Sequence, residues 1–183
     1  LGVRKNAFLW HDIRGSTTKR RRVAPEEMPT APTEIIDALQ SSIRLHWMAV
    51  ENYASQAEHF ARWGYAKLAD RFGADAEEER GHLAALMARL EFFDAAPSFV
   101  HQFPTWPRHD VPGIFAYDLE LERKAAEVER ANVIAARAFG DETTAGIFAA
   151  LLKDSEESIE KIEADQKLIE AIGLENWLAN LIG

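Results

Sequence analysis

The 183-residue chain contains no cysteine. Disulfides, thiolate-held zinc and cysteine-ligated iron–sulfur clusters are therefore excluded, and any metal must be held by imidazole and carboxylate groups. No apolar run approaches the roughly 18 residues that a membrane span requires, and the first segment lacks the unbroken apolar stretch of a secretory signal, so a cytoplasmic location is expected. Nowhere do apolar and polar residues alternate as in a half-buried strand, and no internal repeat stands out. Positive charge is scarce as well: 21 Lys and Arg face 30 Asp and Glu, for a net charge of −9. A general nucleic-acid or anionic-membrane surface does not fit that balance. The scarcity is uneven. Residues 1–32 hold seven basic side chains against three acidic ones, a local +4 that leaves −13 on the remainder.

What is present in quantity is apolar residue, 47% of the chain, enough to bury a core in one domain. Pro25, Pro29 and Pro32, preceded by Gly15, Ser16, Thr17 and Thr18, make residues 1–32 a basic arm and not a helix. Thr33 then reads as an N-cap, and Ile36, Leu39, Ile43, His46, Val50, Tyr53, Ala57 and Phe60 form the stripe of a long helix. After Trp63-Gly64, a second stripe runs through Tyr65, Leu68, Phe72, Asp75, Glu79, His82, Leu86 and Phe93. "AAPSFVHQFPTWPRHDVPG" follows, and its prolines forbid continuous helix over a length able to cross a bundle. A third helix begins near Pro112 or Gly113, with Phe115, Leu119, Glu122, Ala126, Val133 and Ala136 inward, and breaks at Gly140-Asp141. The fourth carries Phe148, Leu151, Ser155, Ser158, Ile162 and Ile169. "LENWLANLI" closes the chain as a short fifth helix within 173–183, so that 33–172 forms an all-α four-helix bundle with one long crossover after its second helix.

The first three stripes are each interrupted near the middle by a metal-ligand residue type: His46, then Glu79 and His82, then Glu122. Mid-helix residues of adjacent antiparallel helices share a layer, and a Glu-x-x-His pair delivers two ligands to one point. Buried carboxylates cost several kcal/mol, as an order of magnitude, unless cations or donors face them. A divalent metal meets that need; so does a polar network in which His46 or His82 pairs Glu79 and Glu122 directly. Asp75, Glu77, Glu78 and the cluster Asp154, Glu156 and Glu157 read as solvated helix faces. Tyr53, two turns from His46, reads as packing with a hydroxyl able to bond a ligand.

These segments resemble the bacterioferritins of the ferritin-like superfamily. "TEIIDALQSSIRLHWMAVENY" is similar to that family's first helix, "FARWGYAKLADRF" to its first turn, "EEERGHL" to its Glu-x-x-His helix, "DLELE" to its third-helix motif and "LIEAIGLENWLANLI" to its last two helices. The resemblance runs from about Thr33 to the C-terminus and implies a di-iron centre in which Glu79 is the bridging Glu, His82 a terminal His and Glu122 the third-helix Glu. His46 stands where the family has a Glu, and Ser155 and Ser158 stand where it has a second Glu-x-x-His. Hydroxyls are poor ligands for Fe(II). The implied centre is a divergent, incomplete one: a mononuclear site of His46, Glu79, His82 and Glu122 for Fe, with Mn or Zn as alternatives, and Tyr53, Ser155 and Ser158 as hydrogen-bonding neighbours. Arg80 occupies the position of the family's haem-ligating Met, so haem is not expected.

The expected function is iron binding and storage by a homo-oligomer, a cage or a smaller assembly, with weak or absent ferroxidase activity. The alternative is a non-enzymatic scaffold that co-assembles or docks through the arm, where "NAFLWHDIRG" exposes Phe8, Leu9 and Trp10, or touches nucleic acid through "KRRR" at 19–22.

Overall fold

A computed structural model describes residues 31–98, 106 and 110–182. Residues 1–30 of the arm, with Phe8, Leu9, Trp10 and the basic run at 19–22, lie outside the described residues, as do Pro104 and Pro107 of the crossover. Five helices follow in order: α1 (Thr33–Trp63), α2 (Ala66–Phe92), α3 (Val111–Ala138), α4 (Glu142–Ile172) and α5 (Leu174–Ala179). There is no strand among the described residues, and none of the helices described is long and apolar enough to cross a membrane. The chain is a ferritin-like four-helix bundle: α1 packs chiefly on α2 and α3 on α4, with α1 against α3 and α2 against α4 closing the square.

Local chemistry explains the joints. Gly64 takes the left-handed conformation (φ 84°), and the Tyr65 N–H returns to the Phe60 carbonyl, ending α1 within two residues of α2. Asp110 caps α3 by accepting from the Gly113 N–H at 2.7 Å, and Pro112 sits in the first turn, where its missing N–H costs nothing. Asp141 caps α4 through the Thr144 N–H at 3.0 Å and is also gripped by Arg89 of α2 at 2.7 Å. Two readings move by a residue or two. Pro32, not Thr33, stands at the N-cap of α1, and α3 starts at Val111.

The core lies in two apolar clusters at opposite ends of the bundle. One gathers Phe60, Phe72, Ile114, Phe115, Ile162 and Trp177; the other gathers Ile35, Leu39, Leu86, Leu90, Phe148 and Leu151. At the head of α1 it is Ile35 that is fully buried while Ile36 is half-buried, because a strict heptad register drifts by about 20° per repeat against 3.6 residues per turn. Between the clusters lies a polar waist of buried side chains: Ser42, His46 and Gln56 of α1, Glu79 of α2, Asp118, Glu122 and Glu129 of α3, and Ser155 of α4.

Candidate metal centre

His46, Glu79 and His82 meet in the waist. Their ligand atoms lie within 4.8 Å of one another. α1 and α2 run side by side, and the i, i+3 spacing on α2 puts Glu79 and His82 on one face, so both imidazoles turn the same nitrogen toward the same oxygen. His46 Nδ1 is 2.6 Å from Glu79 Oε2 and His82 Nδ1 is 3.3 Å from it. The rings stand edge to face with centroids 5.1 Å apart.

Each imidazole has a second carboxylate behind it. His82 Nε2 lies 3.0 Å from Asp154 of α4. His46 Nε2 lies 3.5 Å from Glu129 of α3, an ion-pair distance beyond a good hydrogen bond, and this fully buried nitrogen has no other hydrogen-bond partner. Glu129 is 0% exposed; it accepts from the Ser42 hydroxyl at 2.5 Å and from the Asn132 amide at 3.3 Å.

The electrostatics follow from these contacts. Burial disfavours a charged His46, but Glu129 and Glu79 outweigh it and raise its pKa to about 10. Burial likewise opposes charge on Glu79, yet His46 and His82 bring it down to about 2. The His82 pKa rises, burial being overcome by the bond to Glu79.

Glu122 does not belong to the compact group. It is buried in the same layer, but its carboxylate accepts from the Tyr53 hydroxyl, with Ser155 as a further partner. Burial pushes its pKa up to about 7 against the Tyr53 bond, and the charge on Glu79 adds to the rise. Ser155 is buried beside it; Ser158 is half-buried and lines a small void with Tyr53 and Asp118.

One acidic residue is placed otherwise than the sequence suggests, and two more, which the stripes do not single out, join the waist. Asp154 turns to His82 while Leu151 and Ile162 stay buried. Its neighbours Glu156 and Glu157 remain exposed, paired with Arg130 and Lys153. Glu129 and Asp118, both 0% exposed, do not stand out in the sequence. The inward rhythm of α3 through Leu119, Glu122, Ala126 and Val133 lands on 129 as well, and Asp118 lies one turn before Glu122; those spacings were the available signal. Asp118 accepts from the Gln56 amide at 2.8 Å through one oxygen, while its other oxygen and Gln56 Oε1 are buried without partners. Burial raises its pKa to about 7. A second grouping, Glu78, His82 and Asp154, sits toward the surface, with Glu78 exposed.

The donor set suits a divalent first-row ion: two imidazoles and a carboxylate with their ligand atoms gathered at one point. A four-helix bundle with one long crossover and carboxylate and imidazole groups at its waist defines the class of carboxylate-bearing helical bundles. The family model described as the ferritin-like domain matches residues 36–172, and the chain belongs to that family. A bacterioferritin of Streptomyces coelicolor is 29% identical over 149 residues, covering 81% of this chain and 89% of that protein. A bacterial ferritin of Pseudomonas aeruginosa is 29% identical over 150 residues, 81% of this chain and 97% of its own length. A bacterioferritin of Mycobacterium avium is 24% identical over 149 residues, with 81% and 94% covered.

Proposed function

We propose that this chain is an iron-binding and iron-storing ferritin-family subunit that holds one divalent metal per subunit and has little or no ferroxidase activity. The observation that carries the reading is the convergence of His46 Nδ1 and His82 Nδ1 on a single Glu79 oxygen, at 2.6 and 3.3 Å. Iron is the cargo; Mn(II) or Zn(II) suits the same donors. His46, Glu79 and His82 would hold the ion, and Glu122 stands by, accepting from the Tyr53 hydroxyl. A bound ion would supply Lewis acidity and, for iron, one-electron chemistry with dioxygen. On α4 the neighbouring positions Ser155 and Ser158 supply neither charge nor imidazole, which supports a single site over a pair.

Self-assembly belongs to the same proposal. Ile134, Phe139, Phe92 and Ile182 are large apolar side chains exposed on the subunit, Ile134 at 66%, and homo-oligomers bury such surface by symmetry. Elemental analysis of purified parent and Glu79→Ala, alongside iron-dependent oxygen uptake, tests the function. The expected result is about one metal per subunit in the parent, its loss in the variant, and slow oxygen uptake in both. Two tightly held irons with rapid uptake would defeat it.

The short His46–Glu79 bond favours a second reading, in which the ion pair itself satisfies the waist and the chain is a non-enzymatic scaffold that docks through its arm. A parent that takes up no metal would establish that one.

A further inference from the structure

Building on the metal reading above, we propose that Glu129 is the positioning residue of this centre: it holds the proton of His46 on Nε2 and thereby turns the Nδ1 lone pair toward the ion. Neutral imidazole carries one N–H, and the nitrogen that keeps it is set by the acceptor it faces. His46 lies between two carboxylates, with Glu79 2.6 Å from Nδ1 and Glu129 3.5 Å from Nε2. An ion at Nδ1 takes the place of the proton shared with Glu79. The remaining proton must then sit on Nε2, where the buried nitrogen has no acceptor closer than Glu129. Metal-bound histidines nearly always donate their other N–H in this way, and the partner fixes both ring orientation and basicity.

Two further features agree. Glu129 is itself held in place, by the Ser42 hydroxyl at 2.5 Å and the Asn132 amide at 3.3 Å, so the carboxylate is anchored from α1 and α3 before any ion arrives. His82 repeats the polarity with different residues, Nδ1 toward Glu79 and Nε2 3.0 Å from Asp154. Two rings on two helices thus direct the same nitrogen inward and the other to a carboxylate. A fully buried Glu is an expensive packing choice, and a wholly apolar set of side chains in place of the network would stabilise the fold at least as well. A role in ligand orientation accounts for its presence; packing does not.

The test uses the full chain stripped of metal, with Zn(II) affinity measured by chelator competition, the visible spectrum of the Co(II) form, and thermal unfolding of each metal-free protein. Parent, Glu79→Ala, Glu129→Gln, Glu129→Leu and Glu129→Ala are compared. Glu129→Leu is expected to bind zinc about 10- to 100-fold more weakly and to shift the Co(II) bands, and its metal-free form to melt lower than the parent, because His46, Ser42 and Asn132 lose their buried partner. Glu129→Gln keeps an oxygen acceptor and is expected to recover part of the affinity. A purely structural role predicts the same lower melting temperature with zinc affinity and the Co(II) spectrum intact. Parent-like affinity and an unchanged Co(II) spectrum in Glu129→Leu would overturn the proposal, and if that variant does not fold, the same result in Glu129→Ala does so. If Glu79→Ala binds like the parent, or the parent does not bind, the metal reading itself falls and this role goes with it. If Glu79→Ala abolishes binding while Glu129→Leu leaves it intact, only the role of Glu129 is lost.

Discussion

Replacing Asp118 by Asn should remove a pH-dependent weakness from the bundle. Asp118 is fully buried, bonded through one oxygen to Gln56 at 2.8 Å, with its second oxygen and Gln56 Oε1 unpartnered. Burial raises its pKa from 3.8 to about 7 in the folded chain. The folded state therefore holds this proton more tightly than the unfolded state. Stability from the group is complete below the unfolded pKa, declines as pH rises, and is lost once pH passes the folded value near 7. At about 1.4 kcal/mol per pKa unit, the difference over the full shift is on the order of 4 kcal/mol. Asn stays neutral throughout and offers a donor on the side where two acceptors now lack one. Denaturant unfolding of parent and Asp118→Asn at pH 5 and pH 8, at one protein concentration, reads the effect. The variant should gain on the parent by a few kcal/mol between those pH values. Parallel pH profiles for the two proteins would refute the buried, raised carboxyl.

Three other outcomes follow from the same contacts. Asp141→Ala removes the cap of α4 and the partner of Arg89, and should cost about 1 to 2 kcal/mol in denaturant unfolding. Phe72→Ala empties a site packed by Tyr53, Phe60 and Phe115, and should cost about 3 to 5 kcal/mol, seen as a large drop in melting temperature. Ser155→Glu combined with Ser158→His supplies α4 with the ligand types it lacks; metal content per subunit and iron-dependent oxygen uptake should both rise, and no rise in either would place the deficit elsewhere.

The helices and the meeting of His46, Glu79 and His82 were legible because each breaks an otherwise apolar stripe, and an imidazole or carboxylate among Leu and Phe stands out. Glu129 and Asp118 were not, although they lie as deep. Within "DLELERKAAEVER" acidic residues are common on every face, so an inward one differs from an outward one only by phase. Asp154 was lost for a related reason. It adjoins Glu156 and Glu157, which are solvated, and its distinction is a contact with His82, 72 residues away, which no local pattern encodes. The engagement of Glu122 by Tyr53 and Ser155 also depends on how three helices abut, and spacing along one of them cannot give it.

The two greasy plugs at either end of the barrel of helices have a consequence for how such a molecule can change. Each plug draws on all four rods and needs nothing from the region between them, so the rods are clasped twice and the middle is spared the task of keeping them together. A lineage can then swap a ligand, forfeit an ion or install a new ion pair at mid-height while the outline endures.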